Sequence, residues 1–489
     1  MSRNTSGSTL PKLTVLWLAL VLGGCSMIPL YERPAAPVAL DWPALDNAAA
    51  VTASTPAADI EWQAFFSDSR LKQLIEAALV NNRDLRIAVL NIEQARAQAQ
   101  VRRADQFPTI NAALAGSRQP NSNGNGNGNG NGNGSIVNFY SAGLAVTAYE
   151  FDFFGRVASL KEAALAQFLA TEEGRKTAQI SLIATVANAY LSLIADDELL
   201  AITRQTLVTR EESLRLSKLR FDNGVTSELD FRLAESLTEA ARVSMAQLAR
   251  QRALDENALT LLIGQPITPA LSLALPAGKG LADLPVMPDL PAGLPSELLT
   301  RRPDIRQAEQ QLLAANANIG AARAAFYPRI SLTTSIGTAS SRLTGLFNGG
   351  TWGWTLAPQL LLPIFDAGRN SAGLASADAG QRIAIAQYEK SIQTAFREVA
   401  DALASRATLS DQLRAQQTQA NAESVRSNLS NLRYQNGVAS QLDVLDSQRS
   451  LLTARQAVVQ TRLAQLQNQV ILYKTLGGGW KDAPYEISP

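Results

Sequence analysis

The sequence predicts a mainly α fold of very long antiparallel helices, with four strands per chain contributing to a membrane β-barrel, built as an internal two-fold repeat. Three observations predict it. About 67 residues from Arg156 to Asp222 carry no Pro, and their apolar residues fall three or four apart. Two pairs of segments alternate apolar and small polar residues around loops. Arg220-Phe221-Asp222-Asn223-Gly224-Val225 recurs 213 residues later as Arg433-Tyr434-Gln435-Asn436-Gly437-Val438.

Composition sets the outer limits. With 46% hydrophobic residues the chain folds, and its 44 Lys plus Arg against 43 Asp plus Glu create no net field that would draw nucleic acid. The absence of His and the presence of one Cys remove imidazole catalysis, Cys/His metal cages and disulfide frameworks. No nucleophile with a base, metal cluster or phosphate-binding Gly loop stands out, so the reading is no enzyme and no cofactor.

The elements follow in order. Residues 1–24 read as a secretory signal: Arg3 and Lys12 precede an apolar run from Leu13 to Leu22, about ten residues and too short to span a bilayer. Leu22-Gly23-Gly24-Cys25 resembles the bacterial lipobox, which makes Cys25 the lipidated first residue of the mature chain and acyl lipid its only attached group. Residues 25–60, rich in Pro and Ala, read as a tether. The first repeat, 61–263, opens with one helix whose apolar residues run from Phe65 through Leu85 and Ile92 to Val101. Strands at 107–119 and 136–151 follow, separated by the Asn-Gly run Asn123 to Gly134. The long helix 156–222 would reach roughly 100 Å at ~1.5 Å per residue. A helix over 228–263 closes the repeat, and 264–295 is Pro-rich and irregular.

The second repeat, 296–476, restates this plan: a helix, strands at 328–340 and 351–364, a long helix 368–435 and a helix 440–476, before a tail at 477–489. Asp84-Leu85-Arg86 returns as Asp304-Ile305-Arg306 and Phe107-Pro108 as Tyr327-Pro328, both 220 residues on. Ile385, Tyr388, Ile392, Phe396, Val399 and Leu403 supply a packing seam on its long helix.

Alternation in the strands places Tyr140, Ala142, Leu144, Val146 and Ala148 on one face of the second, and Trp352, Trp354, Leu356, Leu360 and Leu362 on one face of the fourth. A soluble sheet with one wet face fits the same pattern. As membrane strands they would carry an aromatic girdle, Trp352 and Trp354 near the loop end and Phe107 and Tyr327 near the helix end. Four strands cannot close a barrel, so several copies must share one, and an open interior needs at least three.

The chain resembles the TolC-like outer-membrane efflux factors, in particular their NodT/OprM-like lipoprotein branch, over nearly the whole mature sequence. Leu294-Pro295-Ser296, then Leu299-Thr300-Arg301-Arg302-Pro303-Asp304-Ile305-Arg306, Ala308-Glu309, Ile319-Gly320 and Tyr327-Pro328 carry the resemblance. It implies a homotrimer with a twelve-stranded barrel in the outer membrane, a helical tunnel through the periplasm and a mixed belt at mid-height. The implied partners are outer-membrane lipid, a periplasmic adaptor and an inner-membrane efflux pump, and the implied function is the exit duct for small toxic compounds. Type I protein secretion, which uses the same architecture, is the alternative.

The resemblance also assigns residues. The turns at Asn223-Gly224 and Asn436-Gly437 would form the periplasmic tip where the adaptor docks; the glycines independently suit the left-handed conformation that ends a helix. Asp443 and Asp446 match the acidic constriction, Asp230 the residue that helps latch neighbouring helices, and Tyr434 the gating tyrosine. Helix capping is the plainer role for the two acids. Ala439 stands where some members hold an Arg, so that latch is not carried over.

Overall fold

The computed structural model describes residues 26–39, 41–42, 56–120, 136–266, 280–291 and 295–480. The predicted signal, Cys25, the Asn-Gly run, half of the Pro-rich segment and the end of the tail lie outside the described residues. The chain packs as two compact units. The first takes the described residues of 1–34, 93–170 and 308–387, the second those of 35–92, 171–307 and 388–489. Each sequence repeat contributes to both, so the units cut across the repeat.

In chain order the elements are α1 (Trp62–Phe65), α2 (Ser69–Asn81), α3 (Arg83–Ala104), β1 (Ile110–Pro120), β2 (Ile136–Phe151), α4 (Arg156–Asp222), α5 (Glu228–Ile263), α6 (Pro295–Arg301), α7 (Pro303–Ala324), β3 (Arg329–Ser340), β4 (Trp352–Leu361), α8 (Arg369–Gln435) and α9 (Gln441–Thr475). The two long helices are 67 residues each. The helix expected to run unbroken from Phe65 to Val101 is instead three. Asp68 caps α2 by accepting from the Arg70 N–H at 2.9 Å, and the buried Asn82 accepts from the Leu85 N–H at 2.9 Å while donating to the Leu262 carbonyl at the end of α5. Short polar side chains that satisfy backbone groups locally end a helix that apolar spacing alone would continue.

The first unit contains one antiparallel sheet in the order β1-β2-β3-β4. Register is continuous except between Val146 and Tyr149, where β2 bulges around Ala148 at φ 50°. This corrects the expected alternation, which placed Ala148 on the apolar face. The bulge inserts an extra residue and resets the parity, so that Tyr149 and Phe151 stay on the same face as Val146. Thr333 takes up the Ala148 N–H through its hydroxyl at 3.2 Å.

Residues 26–34 are not a loose tether. Arg33 grips Glu309 with two hydrogen bonds of 2.7 Å, Tyr31 donates to the same carboxylate, and Asn316 donates to the Pro29 carbonyl at 2.8 Å. Ile28 lies where a Cβ on Gly320 would stand, 2.6 Å away, so only glycine admits the segment there.

The second unit is built on the predicted apolar rows. Ile183, Ala187, Tyr190 and Ile194 of α4 are at most 2% exposed, and Tyr388, Ile392 and Val399 of α8 are buried. Each such large apolar side chain contributes about 1.5–3 kcal/mol by leaving water. Tyr473 near the end of α9 stacks on Phe65 with centroids 4.0 Å apart. Arg302, the second arginine of the signature stretch, is buried and ties three elements: it pairs with Asp304 at 2.6 Å and Glu398 at 2.9 Å and donates to the Thr475 carbonyl at 3.0 Å.

Candidate functional site

Two places carry the expected function, the sheet and the ends of the long helices. In the sheet, register fixes which side chains share a face, because directly paired residues project together. Ile110, Val146, Thr334 and Leu356 form one row; Leu144, Ile336 and Trp354 another; Phe151, Ile330 and Leu360 a third. The opposite face carries Asn111, Ala145, Ser335 and Thr355 in one row and Ala113, Gly143, Gly337 and Gly353 in the next. In these rows one face is mainly apolar and the other small or polar; towards the loop ends the division lapses, with Arg118 and Asn138 on the first face and Val137 and Phe139 on the second. Trp352 is 66% exposed, Trp354 75% and Phe107 65%, a set of aromatic side chains that a soluble single chain has no reason to leave in water. Tyr327 is less open because it stacks on Phe154 at 4.8 Å.

The bulge has a chemical consequence at the base of β2. Shifting the parity puts Glu150 on the small polar face, in the row of Ser331 and Gln359. There its carboxylate receives Arg156 at 2.7 Å and Arg329 at 2.6 Å. On the apolar face the same charge would face lipid.

The two Asn-Gly turns are built identically. Gly224 (φ 71°) and Gly437 (φ 72°) adopt the left-handed conformation. Gly224 donates to the Phe221 carbonyl and Val225 to that of Arg220, while Gly437 donates to Tyr434 and Val438 to Arg433, the paired bonds of a Schellman motif. The side chains of Asn223 and Asn436 cover one more carbonyl each, Leu219 and Leu432, at 2.7 Å.

Past the turns, Ser227 and Ser440 cap α5 and α9. Asp443 completes a capping box, accepting from the Ser440 backbone at 2.9 Å and its hydroxyl at 2.8 Å. Those two bonds hold its carboxyl below the usual carboxylate range. Asp230 is lowered likewise, by the Ser227 and Thr226 hydroxyls first and by the charge of Arg220 last. Asp446 is bound to Arg449 at 2.5 Å and faces Arg426 at 3.7 Å. Hence the structure gives the two acids of α9 different surroundings: one serves the cap, the other sits between two arginines.

Tyr434 does not stay within its own hairpin. Its hydroxyl accepts from Arg220 at the end of α4, whose guanidinium also lies 5.6 Å from the tyrosine ring, and Gln441 donates to Ser217 beside it. A cavity of about 580 Å³ opens next to Tyr434, lined by polar groups such as Thr209, Asn431 and Gln448, by the charged Glu212 and Arg455, and by aliphatic side chains such as Leu445. Sequence reasoning overlooked Arg220. A signal was available: Phe221 stacks on Phe231 at 5.6 Å, whereas the repeat-related pair is Tyr434 and Val444, which leaves the tyrosine to reach elsewhere.

Known proteins resemble this chain in sequence and fold. A sequence profile described as outer membrane efflux protein matches residues 74–265 and 294–478. The chain is 47% identical over 465 residues to the toluene efflux pump outer membrane protein TtgC of Pseudomonas putida, covering 94% of each chain. Identity and coverage are the same for the antibiotic efflux pump outer membrane protein ArpC of Pseudomonas putida. Its fold matches the open state of the Neisseria gonorrhoeae MtrE outer membrane channel with a TM-score of 0.82 and 42% identity, covering 93% of this chain and 98% of that one. The chain therefore belongs to the outer membrane efflux protein family, as a channel in the outer membrane and not an enzyme.

Proposed function

We propose that three copies of this chain form the exit duct of a tripartite efflux system, passively conducting small toxic compounds that an inner-membrane pump passes on through a periplasmic adaptor. The observation that carries the reading is the four-stranded sheet with one mainly apolar face, one mainly small or polar face and, among the described residues, no strand paired to the outer edges of β1 and β4. Open edges are not tolerated in lipid, and three copies give about twelve strands around a water-filled lumen. The small side chains of the polar face leave that lumen wide. Toluene and antibiotics, named for the relatives, are the cargo class that a wide, weakly charged lumen suits.

The matching turns at Asn223-Gly224 and Asn436-Gly437 are the tip that meets the adaptor, and Arg220 with Tyr434 and Asp230 is the tie that holds the two hairpins of one protomer together there. Asp443 and Asp446 supply the acidic constriction, and a thioether lipid on Cys25 secures the chain to the membrane. Single-channel conductance of the purified oligomer in a planar bilayer, with and without multivalent cations, tests the proposal. Discrete steps blocked by the cations are expected, with block weakened in the Asp443→Ala/Asp446→Ala double variant. Unchanged conductance and unchanged block in that variant would remove the gate from these acids, and no conductance from either protein in inserted form would remove the duct.

A further inference from the structure

Away from the turns, α4 and α5 bring two acids together, the buried Asp196 and the partly buried Asp255. Asp196 of α4 is 7% exposed and lies among the buried Leu193, Ile194, Ala195 and Leu199. Its Oδ2 is buried and meets no hydrogen-bond donor among the described residues. Arg252, three residues before Asp255 on α5, bonds Asp197 at 2.6 Å, which brings this turn of α5 against α4 and sets the Asp255 carboxyl beside that of Asp196. Two ionised carboxylates repel at that separation, whereas one proton between them makes a donor and an acceptor.

The surrounding charges do not relieve the repulsion. Arg252 of α5 commits its Nε to Asp197 at 2.6 Å and its Nη1 to Glu256 at 2.7 Å. Glu198 accepts from the Leu281 N–H at 2.9 Å, in the short turn Leu281–Asp283 that packs here, and Asp283 accepts from the Gly280 N–H at 2.9 Å. Arg252 thus shares its charge between acids of α4 and α5, while Glu198 and Asp283 are engaged by backbone N–H groups of the turn.

We infer that Asp196 and Asp255 share a single proton and act as an acid-set clasp between α4 and α5, pinning the two helices when protonated and forcing them apart when ionised. Burial first, then the neighbouring Asp255, pushes the Asp196 carboxyl up to about 7. A raised acid binds its proton in the folded state over a range where the unfolded chain has released it. Its stabilising contribution is therefore full below the ordinary carboxylate range, near pH 4, and is lost as pH rises towards 7. The hairpin that ends in Asn223-Gly224 would accordingly be held more tightly in acid.

Hydrogen exchange on the detergent-purified full-length protein tests this directly, as protection factors corrected for the intrinsic pH dependence of exchange. In the wild type, protection over 193–198 and 252–258 should fall as pH rises from about 4 to about 7, by at most about tenfold per pH unit for one proton. Asp196→Asn supplies a permanent donor, so its profile should be flat, with protection above wild type at pH 7. Asp255→Asn should behave the same way and decides the matter if Asp196→Asn does not assemble. A wild-type slope retained in the variant, or protection below wild type at pH 7 in an assembled protein, would overturn the clasp. Channel conductance plays no part in this readout, so the clasp and the duct stand or fall separately.

Discussion

Replacing Arg302 with Ala should open the junction of α7, α8 and α9 while leaving its neighbour's loss almost unnoticed. Arg302 has a side chain 8% exposed and makes charged contacts to Asp304 and Glu398 together with a hydrogen bond to the Thr475 carbonyl. Removing one partner of a buried ion pair costs about 3–5 kcal/mol. Asp304 and Glu398 are 33% and 34% exposed, so water recovers part of their solvation and the lower end applies, about 3 kcal/mol. That corresponds to roughly a hundredfold in a local opening equilibrium. Arg301 is the natural control, since its side chain is 31% exposed and its partner Asp59 is 56% exposed at 2.9 Å. Such a pair contributes ~1 kcal/mol or less. Hydrogen exchange over 302–306 and 470–476 reads both without assuming that the whole protein unfolds in one step. Equal effects of Arg301→Ala and Arg302→Ala would refute the argument, because burial would then not be what sets the difference.

Two further outcomes follow from the strands and the turns. A Cβ on Gly337 would lie 2.3 Å from the Ala142 carbonyl oxygen, whereas one on Gly353, in the same row, meets nothing within 4 Å among the described residues; Gly337→Val should lower the melting temperature read by circular dichroism at β-sheet wavelengths and Gly353→Val should not, and a drop in both or neither would disprove the packing argument. Asp443 is held below its usual range by Ser440, so its help to the cap is present above about pH 4 and lost as pH falls further; exchange over 441–446 should rise in acid, and Ser440→Ala should cost about 1 kcal/mol at neutral pH and flatten that acid rise, an expectation that an unaltered pH profile would defeat.

Much of this was legible from residue spacing. Periodicity located the 67-residue α4 because a long Pro-free stretch admits no competing period, and the recurrence of Arg220 to Val225 at Arg433 to Val438 located both turns because only glycine ends a helix in the left-handed region without strain. Sheet membership and the apolar face of β4 came from the same kind of evidence. What escaped was whatever depends on a single side chain meeting a distant partner. Asn82 interrupts a sound apolar row because it bonds to Leu262, 180 residues away. Ala148 carries no turn signature, so nothing in an alternating run announces that the parity resets there. The docking of Arg33 on Glu309 joins residues 276 apart in the sequence, in a stretch whose Pro content argues only against regular structure.

The repeat sharpens the reading of the tip because it supplies an internal control. The turns agree bond for bond in their backbone, so their shared features explain how each hairpin closes and cannot explain anything that distinguishes them. Five positions differ between 220–231 and 433–444, and the pairs Phe221/Tyr434 and Phe231/Val444 bear on the Arg220 contact. Phe221 spends its ring on Phe231 in its own hairpin, and Arg220 beside it is free to turn outward. In the second hairpin the smaller Val444 stands at the position matching Phe231, and Tyr434 keeps a hydroxyl that receives Arg220 from the other hairpin. A phenylalanine at 434 would preserve both turns and both caps yet lose the Arg220 hydrogen bond between them, leaving the bond from Gln441 to Ser217. Coupling at the tip is thus a property of the departure from symmetry, and the closure of each hairpin a property of the symmetry itself.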